Sequence, residues 1–197
     1  MTKALDFTSG YASRRPPMLG HNAVATSQPL AAQAGMKMLQ LGGNAVDAAI
    51  AAAMALTVVE PTGNGIGSDA FAIVWDGEKL HGLNASGRSP ASWHADLFAG
   101  KTAVPEIGWD AVTVPGAVSG WVALAERFGT LPLTTLAQPA IDYARNGFPV
   151  SPLIGHLWQR GYNKLKDQPG FSACFAPEGR APRVGEIFRN PAQANSL

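Results

Sequence analysis

Residues Ala45 to Val59, AVDAAIAAAMALTVV, would be apolar around almost the whole circumference of a helix. A helix at a protein surface carries a polar face. One without such a face must be enclosed, so this segment reads as a central core helix with other elements packed on it. Its alanine content lets neighbours come close. Asn44 supplies the N-cap, and Asp47, three residues on, comes near to a capping box and suits the helix dipole. Glu60-Pro61 ends the helix. The longest apolar run, Ala48 to Val59, falls short of the roughly 20 residues needed to span a membrane.

The flanking segments are read from caps and periodicity. Ser27 is the expected N-cap of a preceding helix with Pro29 in its first turn, and Leu30, Ala34, Met38 and Leu41 share one face. Gly42-Gly43 stops it. After Pro61 comes a glycine loop, Thr62 to Ser68. Phe71 to Trp75 and Lys79 to Asn84 are expected as a hairpin about Asp76-Gly77. Further helices are expected from Pro115-Gly116 to Arg127, from Thr134 or Thr135 to Asn146, and from Ser151-Pro152 to about Lys166. Residues 167–189 are turn-rich. Asn190-Pro191 then opens a last helix that the sequence leaves very short, as expected of one piece of a longer protein.

Composition narrows the function. The chain has 197 residues, a net charge of +1, and 15% charged residues against a usual share of about 25%. With 46% hydrophobic residues it is not a disordered chain. It has no basic stripe for a nucleic acid. Cys174 is the single cysteine, so neither an intrachain disulfide nor a cysteine-cluster metal site can form. Met1 to Pro17 holds Lys3 and Arg14-Arg15 without the apolar stretch of an export signal. We therefore expect a flexible leader over 1–17, a unit over 18–197, a cytoplasmic location, and no membrane partner, metal or cofactor.

Few residues carry chemistry by themselves. Gly63, Gly65 and Gly67 alternate, but Ser68 stands where the third glycine of a dinucleotide loop belongs. That loop would also have to follow a strand and open a helix, whereas this one does the reverse. No G-x-S-x-G elbow is present. His21, His81, His94 and His156 are scattered. Cys174 has no charged neighbour to activate it. Thr2 would become an N-terminal threonine on loss of Met1, but heads a leader with no strand behind it. Arg88 is the candidate of interest. It follows a strand in Asn84-Ala-Ser-Gly-Arg-Ser-Pro90, where small neighbours leave room for its guanidinium to clasp a carboxylate. The alternatives are a solvated loop arginine or a pair with Asp96.

Several blocks together resemble the gamma-glutamyltransferase family. They are Ala23-Val-Ala-Thr-Ser-Gln-Pro-Leu-Ala, Leu-Gly-Gly-Asn-Ala-Val-Asp-Ala-Ala49, Val-Glu-Pro61, Gly-Ile-Gly67 and Val-Pro-Gly116 with the tryptophan-bearing helix after it. Asn-Gly-Phe-Pro-Val-Ser-Pro152 and Gly185-Glu-Ile-Phe-Arg-Asn-Pro191 complete the set. The resemblance runs from about Met18 to Pro191.

It implies an α+β fold, the αββα sandwich of the N-terminal-nucleophile hydrolases, of which this chain supplies a helix-rich N-terminal part. It also implies a precursor that cleaves itself into a large and a small subunit. The new N-terminal threonine, beyond position 197, is the nucleophile, so no catalytic residue is expected in this chain. The expected partners are the remainder of the precursor and a small gamma-glutamyl or glutaryl-type amide. The family holds the substrate α-carboxylate with an arginine four residues before the proline of an Ala-Pro pair. Here that position is Ser86, and the arginine is Arg88, two residues before Pro90. This form looks more like the branch of gamma-glutamyltransferase-like proteins and cephalosporin acylases. A non-catalytic binding module derived from the same fold is the alternative function.

Overall fold

A computed structural model describes residues 19–197. The expected leader, and Thr2 with it, lies outside the described residues. Helix α1 spans Pro29–Gln40 and α2 spans Ala45–Val59. The cap of α1 is Gln28 rather than Ser27. Gln28 is extended, and its side-chain oxygen accepts from Leu30 N at 2.5 Å. Ser27 instead donates to Glu60 Oε2 at 2.6 Å, tying the start of α1 to the end of α2. Leu41 lies beyond the last turn of α1 and is exposed, while Ala34 and Met38 are buried.

The core helix is buried over most of its circumference, with Ala45 and Ala49 exposed along one stripe. Ile50, Ala51, Met54, Ala55, Val58 and Val59 are all buried, and α2 packs against α1, α3 (Ala117–Phe128) and α4 (Leu133–Asn146). Gly35 of α1 sits so close to α2 that a Cβ there would lie 2.9 Å from the carbonyl of Ala48.

Asp47 completes the capping box and goes further. It is fully buried and accepts from Asn44 N at 2.8 Å, Thr130 Oγ1 at 2.6 Å, Thr130 N at 3.1 Å and Leu131 N at 3.3 Å. Asn44 Nδ2 meanwhile donates to the carbonyl of Phe128 at 2.6 Å. The start of α2 is therefore bolted to the α3–α4 junction. Burial pushes the Asp47 carboxyl up, but the hydrogen bonds from Thr130, Asn44 and Leu131 outweigh it and hold the group below the usual carboxylate range.

Strands β1 (Ala70–Trp75) and β2 (Leu80–Ala85) pair antiparallel, with Ala70 opposite Ala85 and Trp75 opposite Leu80. Asp76 Oδ1 closes the turn by accepting from Glu78 N and Lys79 N, and Gly77 takes φ +105°. The hairpin's small-residue face lies on α3: a Cβ at Gly120 would sit 2.8 Å from that of Ala85. Its other face is bare, with Phe71, Ile73, Trp75 and Leu80 each more than 60% exposed.

Two short strands, the second at the end of the turn-rich stretch, are not revealed by local pattern. Strand β3 (Phe148–Pro149) pairs with β4 (Ile187–Phe188), across α5 (Pro152–Leu165) and the short α6 (Phe171–Phe175). Trp158 packs on Phe188 with ring centroids 4.7 Å apart, and its indole N–H donates to the carbonyl of Phe175 at 3.0 Å. Helix α7 (Pro191–Ser196) starts as expected, with Asn190 Oδ1 accepting from Gln193 N at 3.1 Å. Among the described residues no helix is long and apolar enough to cross a membrane.

Candidate functional site

The glycine loop, β2 and α3 meet at the N-terminus of α3. The Ser68 carbonyl accepts from Gly116 N at 3.1 Å and Ala117 N at 2.9 Å. The first donors of α3, which an anion would need, are therefore already partnered by protein. Ser68 also closes the glycine loop, its Oγ accepting from Gly65 N at 2.8 Å. A Cβ at Gly63 or Gly67 would meet nothing within 4 Å. The loop acts through the Ser68 backbone, and close packing of its glycines is not what shapes it.

The segment carrying Arg88 is set with little tolerance. Gly87 takes φ +80°, and a Cβ there would fall 1.9 Å from the carbonyl of Val114. A Cβ on Gly116 would fall 2.2 Å from the carbonyl of Ala85. Val114 N donates to the Arg88 carbonyl at 2.9 Å, and Thr113 Oγ1 to the Ser86 carbonyl at 3.4 Å. Two backbone segments are thus zipped together beside α3, and only glycine fits where they touch.

This zipper forms one wall of a cleft of about 590 Å³, lined by Asn84, Ser86, Arg88, Val114, Ser119 and Ala123 among others. Ser86 and Arg88, the family's arginine position and the arginine present here, open into the same cleft. Arg88 is exposed, and among the described residues its guanidinium has no hydrogen-bond or ion-pair partner. Asp96 instead lies 3.8 Å from His94, so the alternative Arg88–Asp96 pair does not form.

The other candidates lie elsewhere. His81 faces α3 from β2, contacting Asp76 Oδ2 through Nε2 at 2.6 Å and Arg127 through Nδ1 at 3.0 Å. The backbone N–H of Lys79, with His81 and Glu78 N, holds the Asp76 carboxyl far below the usual range. These contacts lock the hairpin to α3, and none of His81, Asp76 and Arg127 lines the Arg88 cleft. His21, His94 and His156 are exposed and scattered. Cys174 is exposed on α6. Among the described residues no three His, Cys, Asp or Glu side chains are grouped to hold a metal ion. The partnership of Ser68 with α3 left no sequence signal, because it is made by a carbonyl oxygen.

Comparison with known proteins bears on this arrangement. The gamma-glutamyltranspeptidase family model matches residues 31–197. The glutathione hydrolase-like YwrD proenzyme of Bacillus subtilis is 40% identical over 177 residues, covering 88% of this chain and 34% of that protein. The cephalosporin acylase of Bacillus halodurans superposes with a TM-score of 0.83 at 48% identity, over 100% of this chain and 38% of its own. The gamma-glutamyltranspeptidase of Helicobacter pylori superposes with a TM-score of 0.85 at 28% identity, over 91% and 54%. The chain therefore spans about a third of the curated relative it matches here.

Proposed function

The chain belongs to the gamma-glutamyltranspeptidase family, and from that premise we propose that it is the N-terminal part of the large subunit of a self-processing amidase. Its fold is that of the family's N-terminal-nucleophile hydrolases. The proposed substrate is a gamma-glutamyl or glutaryl-type amide. The nucleophile is a threonine in the remainder of the precursor. Its oxygen bonds to the amide carbonyl carbon, the C–N bond breaks, and the amine leaves with the proton. Water or a second amine then takes the acyl group from the ester.

The observation that carries the reading in this chain is the Arg88 cleft. Arg88, its guanidinium unpartnered among the described residues, lines it on backbone fixed by Gly87 and Gly116. The positive φ of Gly87 turns the chain between Ser86 and Arg88, which supports Arg88 serving as the carboxylate clamp in place of the family position. Proenzyme names among the relatives support a precursor with subunits. The bare hairpin face of Phe71, Ile73, Trp75 and Leu80 is where the remaining layers of the αββα sandwich would seat. A cytoplasmic location belongs to the same reading, and cell fractionation tests it.

Arg88→Ala in the full-length precursor should lower kcat/KM roughly ten- to a hundredfold for donors bearing the carboxylate. Arg88→Lys should recover only part, since an ammonium lacks the planar fork. Self-cleavage should be unchanged. Equal losses on donors with and without the carboxylate would make Arg88 a structural loop residue.

A further inference from the structure

Side chains as well as backbone hold the segment that carries Arg88. Ser86 N donates to Asn84 Oδ1 at 3.0 Å, and the Ser86 carbonyl accepts from Thr113 Oγ1 at 3.4 Å. Val114 N holds the Arg88 carbonyl at 2.9 Å. The run from Ser86 to Arg88 is therefore gripped at three backbone groups, on both sides of the turn at Gly87. Asn84 makes the first of these grips and the shorter of the two made by side chains. An asparagine that accepts from the N–H two residues on closes a local turn. Here that turn fixes the direction in which the chain leaves β2.

The place of Asn84 in the hairpin sets it apart. Side chains alternate along a strand, so Leu80, Gly82 and Asn84 share one face of β2, and Asn84 stands opposite Phe71 of β1. That is the bare face of Phe71, Ile73, Trp75 and Leu80. Asparagine is a poor strand residue, and among these side chains it alone is polar. Its oxygen is committed to the Ser86 peptide. Asn84 also lines the cleft that Arg88 lines.

A bidentate clasp on a carboxylate demands a planar fork in register with both oxygens. A misplacement of about 1 Å can cost up to a hundredfold in rate. The Cα of Arg88 is two residues from the peptide that Asn84 grips, across a glycine, so freeing that peptide frees the base of the arginine.

We propose that Asn84 is a positioning residue for the substrate carboxylate, setting through the Ser86 peptide where Arg88 presents its fork. The inference rests on the amidase reading and its carboxylate clamp, and adds the residue through which β2 controls donor choice. In this role Asn84 touches no substrate. Its whole effect passes through Arg88, so the two must be coupled.

The test is a double-mutant cycle on the full-length precursor, read with glutaryl and butyryl anilide and with gamma-glutamyl and 4-aminobutyryl anilide. The second donor of each pair lacks the carboxylate. Asn84→Ala should lower the kcat/KM ratio of charged to uncharged donor by roughly three- to tenfold, chiefly through KM. A serine hydroxyl can accept from the same N–H, so Asn84→Ser should recover part of the ratio. In an Arg88→Ala background Asn84→Ala should change the ratio by less than about twofold, because no fork remains to be aimed. Self-cleavage should be unchanged, and the thermal midpoint should move by less than about 4 °C. An Asn84→Ala effect undiminished in the Arg88→Ala background overturns the positioning role and leaves the amidase reading standing. So do equal losses on both members of a pair. A loss of self-cleavage, or a larger fall in the midpoint, makes Asn84 a scaffold residue and also overturns the role. If Arg88→Ala is itself unselective, the clamp fails and Asn84 has nothing to position. Wild-type protein inactive on all four donors overturns the amidase reading, and the positioning role falls with it.

Discussion

Removing the Asp47 carboxylate should cost more stability than any other single polar change in this chain. Asp47 is fully buried, and its two oxygens accept from three backbone N–H groups and one hydroxyl. Asp47→Ala leaves those donors without a partner. A buried unsatisfied donor costs about 1–3 kcal/mol. The Thr130 hydroxyl can rotate and water can enter the vacated space, so the sum is not reached. A loss of about 3–5 kcal/mol is expected, as for other buried charges stripped from their partners. Asp47→Asn keeps the volume and one acceptor but turns an NH2 toward an N–H donor, and should lose about 2–3 kcal/mol.

Urea unfolding followed by tryptophan fluorescence measures both. At about 1–3 kcal/mol/M, the alanine midpoint should fall by more than about 1 M. The pH dependence provides a second check. The folded carboxyl lies below its unfolded value of 3.8, so its stabilisation is present above that value and is lost as pH falls through the folded one. The gap between wild type and Asp47→Asn should therefore narrow from neutral pH to below 3.8. An Asp47→Ala loss under 1 kcal/mol, or a gap that stays constant on acidification, would refute the reasoning.

Gly116→Ala should prevent the Arg88 segment from seating, because its Cβ would fall 2.2 Å from the carbonyl of Ala85; limited proteolysis should cut within 85–115 in the variant and not in the wild type. Residues 1–197 alone should show no turnover of gamma-glutamyl or glutaryl anilides, and rates above buffer would reopen Thr2 as a nucleophile. The same fragment should bind the dye ANS through the bare hairpin face, and Phe71→Ser with Ile73→Ser should abolish most of that signal without moving the unfolding midpoint. An ANS signal that survives both changes would mean that another surface is exposed.

Legibility followed the range of the interactions involved. The core helix, its capping box and the hairpin were readable because each is set by residues within a few positions of one another. Ser27 misled because Gln28, one residue later, has the reach to take the cap while Ser27 turns to Glu60. The β3–β4 pair was hidden because each strand has two residues and its partner lies across α5 and α6. The apolar helix was readable as a core helix, and α1, α3 and α4 cover most of it; that the largest bare apolar side chains would sit on the hairpin was not readable, because what covers a strand face is set by distant segments. Arg88 was found as a residue type in a permissive setting. That its backbone is fixed by contacts of Gly87 and Gly116 could not be seen, since those partners are carbonyls of Val114 and Ala85.

The small-residue seam between the hairpin and α3 sets a shared quota of volume. The Cβ of Ala85 occupies the space that a methyl on Gly120 would take, with Ala70 close behind. Position 120 can therefore gain a carbon only if position 85 surrenders one. Relatives should show this as paired exchange: alanine at 120 accompanied by glycine at 85, and seldom alanine at both. Ala85→Gly should likewise rescue Gly120→Ala in the laboratory, so that the two changes together destabilise less than the second alone.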